Sequence, residues 1–133
     1  MISFSRYFYE STEEFSQKEN VKILGVGNYK AKVDSGNDGY CVLHGDDISI
    51  NGSEVSFVTF DGKTITKPVI DTIKVNVGAG THEDRPVVAF DIEIKKQLHK
   101  NVKFSIGNRK ENDEKVLIGL KFLKPIKAVI EIK

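Results

Sequence analysis

From residue 21 onward the apolar positions fall in short β-branched runs, broken every few residues by Gly, Asn or Asp. Hardly any stretch repeats at 3.6 residues, so the pattern predicts strands rather than amphipathic helices. Asn51-Gly52 and Asp61-Gly62 have the composition of two-residue hairpin loops, in which both residues take positive φ. They predict strands at 47–50, 54–60 and 63–67. A further run at 69–77 ends in Gly78-Ala79-Gly80-Thr81, where the chain must turn sharply. Residues 86–94 and 98–106 read as a strand pair joined through Lys95-Lys96-Gln97. Residues 108–114 are charged and contain no large apolar side chain, which predicts a surface loop. Val116-Leu117-Ile118-Gly119 is apolar again, residues 120–123 suit one helical turn stopped before Pro125, and 126–132 alternates as a last strand.

The first twenty residues differ. Phe4, Tyr7, Phe8, Tyr9 and Phe15 are set among Ser and Glu, and Ser11-Thr12-Glu13-Glu14 has capping-box spacing, which predicts a short helix or a packing arm over 1–20 ahead of a β domain over 21–133. Composition agrees with the β reading: Val and Ile supply 14 residues each, and Leu and Ala together only 10. A chain of 133 residues has room for one core. Twenty basic against 19 acidic residues, with no strong segregation of sign, argue against a nucleic-acid partner. No apolar run approaches the roughly 20 residues that span a bilayer, and the start of the chain lacks the plan of a secretory signal, so a cytoplasmic protein without a membrane partner is expected. Cys41, the sole cysteine, excludes an internal disulfide and reads as a buried small hydrophobe within Tyr40-Cys41-Val42-Leu43.

The chemistry centres on Lys30-Ala31-Lys32-Val33-Asp34-Ser35-Gly36-Asn37, preceded by Val21-Lys22-Ile23-Leu24-Gly25-Val26-Gly27, which together read as a hairpin feeding a turn. Such a turn can present a carboxylate at a strand end, with Ser35 locking the turn by hydrogen bonding and Gly36 admitting another backbone closely. By itself Asp-Ser-Gly is also an ordinary turn. Its pairing with a later apolar-apolar-Gly strand and short helix, Leu117-Ile118-Gly119-Leu120-Lys121-Phe122-Leu123, resembles the retropepsin-like aspartic proteases. Gly80-Thr81-His82-Glu83-Asp84-Arg85-Pro86-Val87-Val88 and Phe104-Ser105-Ile106-Gly107-Asn108-Arg109 lie between them. In that order the segments resemble a bacterial branch carrying the label ATP-dependent zinc proteases, over roughly residues 21–123.

That resemblance implies an all-β fold: a closed retropepsin-like barrel, the single lobe of an acid protease, with a short C-terminal helical turn. It implies that Asp34 is the catalytic carboxylate, Ser35 a brace between catalytic loops and Gly36 part of the floor. Asn37, the flap residues Val77, Gly78, Ala79, Gly80 and Thr81, and the arginines Arg85 and Arg109 would meet a peptide or protein substrate. The active unit would be a homodimer in which each chain gives one Asp, and no cofactor would be needed. For either Arg, an ion pair holding loops together is the competing reading. Asn37-Asp38-Gly39 and Leu120-Lys121 depart from the branch, which usually has Ala and a basic residue after its Asp-Thr-Gly and an Arg after its last Gly. The departures weigh against the glutamate tails that some members trim.

No zinc site is expected despite the branch's label. His44, His82 and His99 have no ligand spacing, and His82-Glu83-Asp84 reads as a solvated loop tip. A non-catalytic binding or assembly module on the same fold, or a virus-encoded (phage) protease, are the alternatives.

Overall fold

In the computed structural model, which describes residues 14–126 and 129–130, nearly every β-branched run forms a strand. Two short strands come first, β1 (Glu14–Phe15) and β2 (Lys18–Ile23), followed by β3 (Gly27–Val33) and β4 (Cys41–His44). A small group follows: β5 (Asp46–Asn51), β6 (Glu54–Val58) and β7 (Thr64–Pro68). The long hairpin is β8 (Asp71–Gly78) with β9 (Thr81–Ile94), and β9 turns into β10 (Gln97–Gly107). β11 (Val116–Ile118), a single helical turn α1 (Leu120–Leu123) and β12 (Val129–Ile130) end the chain.

The main sheet runs β10-β4-β11-β3-β2-β9-β8, and β9 also pairs with β10, so six strands close a ring and β8 extends it beyond β9. The expected barrel is present. Its alternating inward positions, among them Val21, Ile23, Ala31, Val33, Leu43, Ile92, Ile94, Phe104 and Ile106, form one buried core. Phe90 and Phe104 meet edge to face, with centroids 5.8 Å apart, across the β9–β10 pair. A three-stranded sheet, β5-β6-β7, packs beside the ring through Val55 and Phe57. Gly45 marks the junction, because a Cβ there would lie 2.4 Å from Ile106.

The order of strands in the ring matters most for the site. β3 and β4 are consecutive in the chain yet not adjacent; β11 lies between them, parallel to β3 and antiparallel to β4. The connection 34–40 must therefore cross the end of β11.

Several expectations change. Strand structure begins at Glu14, so β2 runs across residue 20 and the end of the expected arm is strand; β1 pairs in parallel with β12. The rest of the arm, 1–13, lies outside the described residues, as does most of the last strand. At Asn51-Gly52 only Gly52 has positive φ, because Asn51 pairs with Glu54 and the loop is Gly52-Ser53, the pattern of a type II′ turn. At Asp61-Gly62 the loop is longer: Gly62 N–H donates to Thr59 O and Thr59 N–H to Lys63 O, with positive φ at Gly62 alone. His82, Glu83 and Asp84 are not a loop tip. They are exposed strand residues of β9, opposite Asn76, Val75 and Lys74.

The β9–β10 turn has an unfavourable composition. Lys95 and Lys96 have φ of 54° and 63°, a left-handed pair that suits Asn-Gly and costs other residues roughly 1–2 kcal/mol each. The Lys95–Glu19 contact that would be lost is long, 3.8 Å, and partly exposed, so it offsets little of that cost. Replacing both lysines, Lys95→Asn with Lys96→Gly, is expected to stabilise the domain by about 1 kcal/mol. The check is a higher urea midpoint at unchanged slope; an unchanged midpoint contradicts the strain assigned to this turn.

Candidate active site

Asp34 is the first residue after β3. Its backbone N–H donates to Ile118 O at 2.9 Å, which docks the start of the turn onto the end of β11. Its carboxylate Oδ1 accepts the Gly36 N–H at 2.9 Å, and its carbonyl accepts the Asn37 N–H at 3.2 Å. The turn is thus held by the carboxylate and the main chain. Ser35 and Gly36 are exposed, Asp34 and Asn37 half-buried. The lock expected from Ser35 is supplied within this chain by Asp34 itself.

The second half of the turn is fixed to the helical turn. Asn37 O accepts the Leu120 N–H at 2.8 Å, and Gly39 O accepts the Lys121 N–H at 3.2 Å. Asn37 Oδ1 in turn accepts the Gly39 N–H at 2.8 Å. Gly119 lies directly beneath. Its backbone is extended, so its need for glycine is spatial: a Cβ would sit 2.7 Å from Gly39 O and 3.0 Å from Tyr40 O. The apolar-apolar-Gly motif and the Asp-Ser-Gly motif therefore meet through backbone contacts that leave no room for a side chain.

Tyr40 ties the turn to the long hairpin. Its hydroxyl donates to Asp71 Oδ2 at 2.9 Å, which holds the phenol above its ordinary range; the Thr72 N–H, and after it this bond, hold the Asp71 carboxyl below its own. Lys121 and Lys103 flank the ring, with Nζ 4.3 and 5.9 Å from its centroid. At the far end of the hairpin, Ala79 and Gly80 form a two-residue loop, both at positive φ, and Thr81 Oγ1 donates to Gly78 O at 2.7 Å. Residues 78–84 are exposed, and Val77 lies in β8 next to that loop.

Arg85 and Arg109 approach each other. Arg85 crosses Gly107 so closely that a Cβ there would be 2.7 Å from its guanidinium carbon, and it reaches Glu83 at 3.3 Å. Arg109 Nε donates to Glu114 O at 3.0 Å. Burial pulls the Arg109 guanidinium below its ordinary range, as does nearby Arg85, while Glu114 and Asp34 act in the opposite sense. Arg109 thus lies within electrostatic reach of both Arg85 and Asp34. Each arginine uses one edge on a local partner, Arg85 on Glu83 of its own strand and Arg109 on the Glu114 carbonyl of its own loop.

Residues not singled out in the sequence also belong here. His44 is buried and accepts the Arg109 N–H on Nδ1 at 2.9 Å. Lys115 Nζ donates to the carbonyls of Arg109, Lys110 and Asn112 at 3.2, 3.0 and 2.5 Å, so it gathers the 108–114 loop around one ammonium. The apolar neighbours of His44 and the charged run around Lys115 conceal these roles in a one-dimensional reading. Cys41 is fully buried, and burial pushes its thiol up to about 12, as expected of a packing residue. Among the described residues no three His, Cys, Asp or Glu side chains are grouped to hold a metal ion.

The six-strand ring, the inserted β11 and the Asp-Ser-Gly turn above Gly119 define a retropepsin-like lobe. Residues 15–133 match the model of the RimB-like family, described as retropepsin-like aspartic endopeptidase RimB, and the chain belongs to this family. Among solved structures it is similar to the crystal structure of Lpg0085, a protein with unknown function (DUF785) from Legionella pneumophila subsp. pneumophila str. Philadelphia 1. The two are 18% identical with a TM-score of 0.73, over 90% of this chain and 92% of that chain, a likeness that shows the fold. No curated protein matches. The family description names an aspartic endopeptidase, and neither match carries the ATP-dependent zinc label.

The Gly119 contact gives a direct test of how the turn is held. Gly119→Ala is expected to cost about 1–3 kcal/mol through overpacking against main-chain oxygens, and to shift the amide resonances of Gly36, Asn37 and Gly39. Wild-type stability with unshifted resonances would show that the turn does not rest on this glycine.

Proposed function

We propose that this chain is an aspartic endopeptidase whose active site forms when two copies bring their Asp34 carboxylates together across a twofold axis. The observation that carries the reading is the Asp34 turn: a half-exposed carboxylate at a strand end, fixed by backbone bonds to the β11–α1 junction. Membership of an aspartic endopeptidase family supports it. The chain has one Asp-Ser-Gly, so a dyad requires a second lobe.

Two carboxylates at hydrogen-bonding distance share a proton and titrate as a pair. The ionised member takes a proton from water as the water oxygen bonds to the peptide carbon, and the protonated member donates to the carbonyl oxygen. Collapse of the tetrahedral intermediate breaks the C–N bond, with a proton delivered to the leaving amine. Gly36 and Asn37 serve as floor and residues 77–81 as flap, holding an extended substrate by strand-like backbone hydrogen bonds. Ser35 braces one turn against its mate. Among the described residues Arg109 uses only Nε and Arg85 only Nε and Nη2 in hydrogen bonds. Their other N–H groups are available to a substrate carboxylate.

Asp34→Asn is expected to abolish cleavage in a peptide-library screen while preserving the melting temperature and the dimer seen by sedimentation. Native activity should follow a bell-shaped pH profile and persist in chelator. Cleavage by the Asn variant, or loss of native cleavage on chelation, contradicts the mechanism. A monomer with no cleavage at any concentration favours a binding or assembly module on the same fold.

A further inference from the structure

The 108–114 loop bears Arg109 yet contains no large apolar side chain to seat it against the barrel. Polar contacts must fix its position. Lys115 gathers the loop's own carbonyls, and Glu114 pairs with Lys18 at 3.1 Å, but the bond from the loop's Arg109 amide into the buried interior goes to an imidazole. We infer that His44 is a positioning residue for Arg109, held as its Nε2–H tautomer by Asp46.

His44 ends β4, faces Gly107 of β10 in register, and is 1% exposed. Its Nδ1 accepts the Arg109 backbone N–H at 2.9 Å and so carries no proton there. A neutral imidazole then has its proton on Nε2, and Nε2 lies 2.9 Å from Asp46 Oδ2, an acceptor on the first residue of β5. Each contact requires the other: Asp46 selects the tautomer that leaves Nδ1 free to accept. The remaining neighbours do not compete for either nitrogen. Phe60 meets the ring edge to face at 6.1 Å, and Lys115 lies on that phenyl ring, 4.7 Å from its centroid. The His44 bond holds the Asp46 carboxyl below its ordinary range against the opposing effect of desolvation, with the Lys110 and Lys115 charges adding less.

The bond ends on the main chain of the residue whose guanidinium shares the electrostatic neighbourhood of Asp34 and Arg85. Releasing it lets the loop drift, and a misplacement of about 1 Å at a binding group can cost on the order of a hundredfold in rate. The kinetic consequence rests on the peptidase reading; the tautomer and the bond do not.

The experiment separates the two nitrogens. An asparagine side chain places an acceptor near the position of Nδ1, whereas glutamine places its amide near that of Nε2. In nitrogen-labelled wild-type protein, a through-hydrogen-bond coupling between the Arg109 amide nitrogen and His44 Nδ1 is expected, and it is expected to weaken in the surface variant Asp46→Ala. With the library peptide cleaved fastest by wild type, His44→Gln is expected to raise KM about tenfold or more, and His44→Asn to restore most of that loss. In an Arg109→Ala background, His44→Gln should add nothing further, because its effect passes through Arg109. Absence of the coupling in the wild type, or an equal loss from His44→Gln with and without Arg109, overturns the inference. A wild-type protein without peptidase activity refutes the dyad instead, and the coupling and its response to Asp46→Ala still decide the role of His44.

Discussion

The insertion of β11 between β3 and β4 is the constraint on which the rest of the site depends. A hairpin would join two consecutive strands over two residues. Here the partners are separated by a third strand, and the seven residues 34–40 must pass over its end. That crossing makes the turn a surface feature with a buried underside. Its amides and carbonyls meet the main chain of Ile118, Leu120 and Lys121, and Gly119 supplies the clearance. Each such bond contributes only about 1 kcal/mol net, but together they leave Asp34 few alternative positions. A rigid carboxylate at a strand end is the result.

The charges around that carboxylate are organised by a different means. Exposed ion pairs contribute little, and the Arg85–Glu83 contact is of that kind. The stronger control lies in what the chain omits or buries: Gly107 has no side chain where Arg85 crosses, and His44 is sealed inside with one nitrogen turned to Arg109. The close of β10, the close of β4 and the start of the charged loop thus lie together, at the end of β11 away from the Asp34 turn. Tyr40 completes the set from the other side, joining the turn to the base of the long hairpin through Asp71.

Much of this fold was legible in the sequence, because alternation and turn residues report local geometry. The strands, the Gly78–Gly80 turn, the charged loop and the one-turn helix all follow from period and composition. The meeting of Asp-Ser-Gly with Ile118-Gly119 was legible only as a resemblance, since no local pattern states that a strand 85 residues beyond β3 lies between β3 and β4. Misreadings occurred where a local preference yields to a longer-range one. His82, Glu83 and Asp84 look like a loop because neither face of the hairpin is buried there, so alternation vanishes while pairing continues. Lys95-Lys96 does not look like a left-handed turn, and it becomes one because Gln97 must pair with Ile94. His44 was read only as a failed zinc ligand; its partners are separated from it by 2 and 65 residues and come from different elements.

A single lobe has a further physical consequence. Burying two carboxylates against each other is unfavourable unless the surroundings compensate, either by a shared proton or by nearby cations. In this lobe the Arg109 guanidinium lies in the field of Asp34, with Arg85 as a further neighbour of Arg109. A twofold pairing at that residue would bring one Arg109 from each copy into the field of the two carboxylates, which eases closing the site, while Glu83 and Glu114 beside the arginines offset part of that charge. The near balance of charge over the whole chain is thus repeated locally, with Arg85 beside Glu83 and Arg109 beside Glu114.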